Sequence, residues 1–228
     1  MSGLSVKNLY KSYVVNKVKV EVNKNISLEA QNGSLIWIYG NSGAGKSTFL
    51  NMISALDTPD SGTIDWEGVN ISRLKDAYRS LFRLNNCGLI FQFFELIKAQ
   101  NIYNNVAFPL KIKKKSKKEI DNILFPLFEY FEVKDLISKM PDNLSGGERQ
   151  RVSIIRCLST EPRYIIADEI TSSLDIENSN KVYSYLKKYI KEKNAIGVFV
   201  SHDPIIKNYV DFIYKMQDGT LQNVNEVV

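Results

Sequence analysis

Gly40-Asn-Ser-Gly-Ala-Gly-Lys-Ser-Thr48 sets out the spacing G-x-x-x-x-G-K-[ST] between an apolar run and a helical pattern. In that context the glycines let backbone N–H groups of Gly40, Asn41, Ser42, Gly43, Ala44 and Gly45 ring a chain of phosphates. Lys46 can then reach the β and γ oxygens, Ser47 can offer its hydroxyl to Mg²⁺, and Thr48 can support the ring. The ligand implied is a nucleoside triphosphate with its metal. Tyr164-Ile-Ile-Ala-Asp-Glu169 is an apolar strand that runs out into two carboxylates. Asp168 suits the metal, directly or through its water, and Glu169, one residue on, faces elsewhere and could polarise an attacking water. His202, the single histidine, follows another apolar strand in Ser-His-Asp. It has either a structural role or the task of contacting the γ-phosphate or positioning water. Gln92, in Ile90-Phe-Gln-Phe-Phe94, is suited to sense Mg²⁺ and phosphate and relay that state to the helical stretch behind it.

A second glycine-rich segment, Leu144-Ser-Gly-Gly-Glu-Arg-Gln150, has different physics. Ser145 and Glu148 have the spacing of a capping box, which opens a helix. Gly146 and Gly147 occupy its first turn, where each costs on the order of 1 kcal/mol against alanine. Bare backbone and free N–H groups at a helix start suit an anion. Two phosphate sites of different kinds in one short chain imply one nucleotide held between two copies.

These groups need a scaffold. Leu35–Tyr39, Cys87–Phe91, Tyr164–Ala167 and Ala195–Val200 read as buried strands separated by helical patterns, the mark of an α/β domain with a mainly parallel sheet. Leu4–Tyr13, Val18–Ala30 and Thr63–Trp66 alternate as antiparallel strands do and predict an N-terminal β-lobe. Lys46–Leu56 reads as a helix, and Asp218-Gly219 as a hairpin turn. Ile120, Ile123, Leu124, Leu127, Phe128 and Phe131 recur at helical spacing, with a kink or helix boundary expected at Pro126. Residues 93–143 thus read as a helical subdomain inserted between 1–92 and 144–228, within one domain.

Composition excludes several classes. At 228 residues and 44% hydrophobic, the chain can bury one large core, and no apolar run approaches the roughly 18 residues a bilayer requires. With no apolar export segment at its N-terminus, the chain is expected to stay in the cytoplasm. Cys87 and Cys157 lack metal-ligand spacing and read as reduced packing residues. The net charge of +5 is ordinary for a soluble domain. Six lysines within 111–118 are a solvated loop or a contact for anionic lipid; nucleic acid is not expected, because no aromatic residues are interleaved.

Taken together and in this order, these motifs resemble the nucleotide-binding subunit of ATP-binding cassette (ABC) transporters. The resemblance spans nearly the whole chain. It implies a P-loop NTPase core of RecA type, with ATP and Mg²⁺ as ligands and ATP hydrolysis as the activity. It further implies a phosphate site at Gly40–Thr48, a glutamine loop at Gln92 and a signature at Leu144–Gln150 presented to a second copy. The turn ending at Asp175 would lie at the dimer contact, His202 would act as the switch histidine, and Tyr13 would stack on adenine. Short stretches such as Gly88-Leu-Ile-Phe-Gln92 and Asn105-Val-Ala-Phe-Pro-Leu110 resemble the branch serving lipoprotein release, macrolide efflux and cell division. The implied partners are an integral-membrane subunit on a separate chain and a second copy or close relative, at the inner face of the membrane. Rival readings are a soluble cassette ATPase of DNA repair or translation, or an inactive regulatory cassette. The chain departs from the family pattern at Ile170 (usually proline), Thr171-Ser-Ser and Asn32-Gly-Ser34. None of these removes a catalytic group.

Overall fold

The computed structural model describes residues 3–91 and 94–224. The described strands are β1 (Leu4–Val15), β2 (Val18–Ala30), β3 (Leu35–Tyr39), β4 (Ser61–Trp66), β5 (Val69–Asn70), β6 (Cys87–Ile90), β7 (Tyr164–Asp168), β8 (Ile196–Val200), β9 (Phe212–Gln217) and β10 (Thr220–Asn223). The helices are α1 (Lys46–Ile53), α2 (Asp76–Asn86), α3 (Ile102–Ile112), α4 (Lys117–Tyr130), α5 (Gly146–Ser159) and α6 (Ile176–Glu192).

Two sheets result. The alternating N-terminal sequence makes an antiparallel sheet ordered β2-β1-β4-β5, and the continuous apolar runs make a six-stranded sheet ordered β10-β9-β3-β8-β7-β6. In the larger sheet β9, β3, β8, β7 and β6 run parallel, while β10 returns antiparallel through Asp218-Gly219. Both faces of this sheet are covered, which is why its strands are apolar throughout rather than alternating. Ile36, Ile38, Val198 and Val200 pack with α1 and the smaller sheet. Leu35, Trp37, Ala167 and Phe199 share the other core with residues of α3, α4, α5 and α6. Trp66 ties the layers together: its ring stacks on Tyr164 with centroids 3.9 Å apart, and its Nε1 donates to the Ile53 carbonyl at 2.8 Å.

The expected strands form, with ends shifted by one or two residues: β1 runs on to Val15, β6 stops at Ile90, and Asp168 joins β7. Two expectations are corrected and one element is new. The helix opened by Lys46 ends at Ile53, not Leu56. Ala55 adopts a left-handed conformation (φ 59°), its N–H donates to Met52 O (3.0 Å) and that of Leu56 to Asn51 O (2.9 Å). This Schellman ending uses alanine where glycine is usual, so no stop signal is written in the sequence. Of the kink or boundary expected at Pro126, the boundary does not form: α4 continues through it, as α3 does through Pro109. Finally, α2 had no counterpart in the sequence reading. Its Tyr78, Leu81 and Phe82 stand at helical spacing, but only Phe82 is buried. The stripe on α4 is as expected, with Ile120, Leu124, Leu127, Phe128 and Phe131 buried and Ile123 partly so.

Candidate functional site

The phosphate loop leaves β3 at the carboxyl edge of the parallel sheet, where open α/β sheets hold their ligands. Its outer glycines are required by close neighbours. A Cβ at Gly40 would stand 2.1 Å from the Met216 carbonyl oxygen, and one at Gly45 (φ 100°) 2.7 Å from that of Val22. Gly45 also precedes α1 without any side-chain cap, which leaves the helix start to whatever enters the loop. Lys46 is buried and its Nζ donates to the carbonyls of Gly40 (2.7 Å) and Asn41 (2.9 Å), so the ammonium sits inside the loop. Asn23 of β2, fully buried, props the loop by donating from Nδ2 to Gly45 O at 3.2 Å. Nothing local in the sequence marks Asn23; its role arises only from the stacking of the two sheets.

The carboxylates meet this loop from β7. Ser47 Oγ donates to Asp168 Oδ2 at 2.7 Å. Glu169 takes a left-handed backbone (φ 55°), and its N–H donates to Val200 O at 2.9 Å. Its side chain is thereby turned toward His202. The His202 N–H donates to Glu169 Oε2 at 3.4 Å, and His202 Nε2 lies 3.7 Å from Oε1. Burial pushes the Glu169 carboxyl up from the usual range, opposed by the backbone N–H and the ring of His202. Ser42, Gly43, Gly45, Lys46, Ser47, Thr48, Asp168, Glu169 and His202 line one pocket of about 410 Å³, joined by Val22 and Ser172. Of these two, Ser172 belongs to the Thr171-Ser-Ser turn already marked in the sequence, whereas nothing local marks Val22.

Tyr13 lies on β1 opposite Val20, two residues from the pocket-lining Val22, and is not itself part of that lining. Its hydroxyl donates to Asp57 Oδ2 at 2.7 Å, and Lys11 Nζ lies 5.0 Å from the ring centroid. Burial and then the Asp57 carboxylate push its phenol up to about 12. Gln92 falls outside the described residues. Just beyond it, Phe94 and Glu95 are both left-handed (φ 61° and 48°). Arg156 of α5 holds them, donating to Phe94 O (2.7 Å) and Glu95 O (2.5 Å), while the Arg149 guanidinium lies 5.9 Å from the Phe94 ring centre. Asn105 of α3, fully buried, continues this support. It accepts from the Ile97 N–H (2.6 Å) and donates to the carbonyls of Ile97, Gln100 and Asn101. These supports escaped the sequence reading, because their partners are main-chain carbonyls that carry no residue signature.

Signature and pocket stand apart: none of Ser145, Gly146, Gly147 and Glu148 lines the pocket just described. The capping box is complete. Ser145 Oγ accepts from the Glu148 N–H (3.3 Å), and Glu148 Oε2 accepts from the Ser145 N–H (2.6 Å), which holds the Glu148 carboxyl below its usual range. The glycines have a neighbour in their own chain. A Cβ at Gly147 would lie 3.1 Å from Ser173 O, and one at Gly146 3.4 Å from Ser173 Cβ. Asp175 closes that turn as the N-cap of α6, accepting from the Asn178 N–H at 2.8 Å. Ile170, at the usual proline position, is buried in the core. Thr171 Oγ1 pairs with Tyr183 Oη (2.9 Å) and donates to Asp203 (3.0 Å), so hydrogen bonds hold the turn.

A lysine-bearing glycine loop at a helix start, a histidine just past the adjacent parallel strand and two carboxylates at the end of the strand beyond it define a P-loop nucleoside triphosphatase. The comparisons narrow the class. A family profile described as ABC transporter matches residues 23–172. The lipoprotein-releasing system ATP-binding protein LolD of Buchnera aphidicola subsp. Acyrthosiphon pisum is 36% identical over 98% of this chain and 99% of its own length. LolD of Wigglesworthia glossinidia brevipalpis is 37% identical over 97% of each chain. The dimeric post-hydrolysis state of the ATP-binding cassette MJ0796, bound to ADP and Pi, superposes with a TM-score of 0.92. It is 31% identical and covers 97% of this chain and 98% of that one. The chain belongs to the ABC transporter family, as an ATP-binding subunit that hydrolyses ATP to energise transport.

Proposed function

We propose that two copies of the chain, or one copy and a close relative, close head to tail over two ATP molecules. Each nucleotide would rest on the Gly40–Thr48 loop of one copy and under Ser145, Gly146 and Gly147 of the other. One observation carries this reading. The pocket gathers loop, carboxylates and histidine but no signature residue, while Ser145 is exposed and the glycines half-exposed at the start of α5. The helix N-terminus is thus available to an anion brought by a second molecule. That the similar MJ0796 cassette is dimeric with ADP and Pi bound supports an assembly of two copies.

Within that frame each residue has a task. Lys46 and the loop amides neutralise the β and γ phosphates. Glu169, whose carboxyl is raised by burial, is basic enough to orient and polarise the attacking water. His202 steadies the γ-phosphate beside it, and the α5 N-terminus stabilises charge building on the transferred group. Gln92 would report the state of this site to residues 93–143, read here as a helical lobe set into a core of 1–92 and 144–228. Tyr13 would stack on adenine, and the turn ending at Asp175 would meet its counterpart. The hydroxyl of Ser47 and the carboxylate of Asp168, 2.7 Å apart, are hard oxygen donors that fit Mg²⁺. Among the described residues no three His, Cys, Asp or Glu side chains cluster to hold a metal, so water and phosphate oxygens would complete its shell. When bound, the ion supplies neutralising charge at the phosphates.

No described helix is long and apolar enough to cross a membrane. The membrane-spanning work would fall to a separate subunit, with this chain on the inner face of the membrane, as suits relatives named for lipoprotein release. The decisive experiment mixes two inactive variants, Lys46→Ala and Ser145→Arg. A shared site regains turnover on mixing, because one of the two composite pockets then has both halves intact. No recovery on mixing rejects the shared site.

A further inference from the structure

The lysines of 111–118 occupy the end of α3, the connecting turn and the start of α4. The nearby carboxylates offset only part of this charge, Lys115 being paired with Glu119. Glu119 closes the capping box of Ser116 and lies 3.8 Å from Lys115, Asp121 accepts from the Tyr103 hydroxyl at 2.6 Å, and Glu161 pairs with Lys193 at 2.9 Å. Lys111 meets the amide oxygen of Asn104 (2.7 Å) and Lys113 the Thr160 carbonyl (3.4 Å), both neutral. Burial, and after it the charge of Lys115, holds the Lys113 ammonium below its usual range. One turn back, Phe108 and Ile112 stand four residues apart on α3, each 48% exposed. Lysines and apolar side chains therefore share one outward corner.

The type of cation discriminates between partners. No arginine occurs between 108 and 121. Planar guanidinium forks suit fixed carboxylates on a shaped protein, whereas lysines are hydrated point charges on flexible stems. Many mobile charges beside shallow apolar side chains match a fluid layer of anionic headgroups.

We propose that the corner between α3 and α4, formed by Phe108, Ile112 and the lysines of 111–118, rests on the surface of an anionic lipid bilayer. The proposal rests on the reading that this subunit works beside a membrane; it does not require ATP turnover. The test incubates the full chain with vesicles of phosphatidylcholine alone, or with about a third phosphatidylglycerol, and sediments them. The expected result is binding to the anionic vesicles only, weakening as salt is added. The combined variant Lys114→Gln/Lys117→Gln/Lys118→Gln should lower that binding about a hundredfold with ATP turnover unchanged, and Phe108→Ser should lower it by a smaller factor. Equal binding to both vesicle types, or a triple variant that sediments like the parent, overturns the proposal. So does a chain that ignores vesicles while its triple variant loses hold of the purified membrane subunit, which makes the corner a protein contact. Vesicle binding without ATP turnover would instead count against the ATPase reading, so the two failures are separable.

Discussion

The chain contains two glycine-rich helix starts, and they are built in opposite ways. At α1 the N-cap is Gly45, no side chain caps the helix, and Lys46 is folded into the loop beside two carboxylates and a histidine. At α5 the start is closed by a reciprocal Ser145–Glu148 box, with no cationic side chain drawn in and with its two glycines resting on Ser173. At the first start one chain gathers loop, lysine, carboxylates and histidine in one pocket. The second is a tip capped by its own side chains, whose remaining N–H groups belong to the two glycines. The contrast shows that glycines open a helix for different reasons. On the proposed function, those of the phosphate loop would let the backbone curl round a ligand, and those of the signature would keep the helix tip thin.

The largest effect should come from Glu169→Gln. ATP should still bind, hydrolysis should fall by roughly 10²–10⁴, and a dimer should accumulate, as read by phosphate release and size-exclusion chromatography. Monomers persisting under saturating ATP would erase the difference between the two helix starts. Ser145→Arg comes next. It should reduce turnover by about 10² while a single copy retains its ATP affinity, because the change touches only the tip offered to the partner. Equal loss of binding and turnover would mean that the signature acts within its own chain.

Arg156→Ala should be smaller and mainly structural. It removes two charged hydrogen bonds to Phe94 and Glu95 and should cost about 2–3 kcal/mol in denaturant unfolding. Gly147→Ala sharpens the comparison most finely. Its new Cβ would meet Ser173 O at 3.1 Å, which offsets the roughly 1 kcal/mol that alanine gains in helix propensity. Stability should therefore change by less than about 1 kcal/mol while turnover drops, separating the thinness of the tip from its folding.

Glu169 also carries a pH signature. Its folded pKa is raised, so its ionised form destabilises the folded chain. The stability it contributes is present in acid, below the ordinary glutamate value, and is lost as pH rises through the elevated one. Glu169→Gln should accordingly be more stable than the parent at neutral pH, and the difference should vanish in acid. Turnover of the parent should rise along the same limb as Glu169 ionises. An unfolding series across pH that shows a constant difference would refute the buried carboxylate as its source.

Much of the site was legible because its chemistry is local. Lys46 and Ser47 follow their glycines directly, Ser145 reaches Glu148 within one helical turn, and Asp168 follows an apolar run whose strand character is plain. The unforeseen parts share one cause: their partners lie far along the chain or are backbone atoms. Asn23 serves Gly45 across the two sheets, and Arg156 serves carbonyls about sixty residues away. Likewise α1 ends on Ala55 in a left-handed turn, a conformation that a residue type alone does not announce.

Residue order by itself determined the phosphate loop, the capping box, the carboxylate pair and the alternation that separates β-lobe from core, since each is a matter of side-chain type within a few bonds or one turn. Only the folded chain decided that Glu169 turns back toward His202, that Ser173 underlies the signature glycines, and that the signature stays outside its own pocket. Those are consequences of sheet order and helix packing, which bring together groups whose separation in sequence carries no energetic information until the cores on both faces of the sheet have closed.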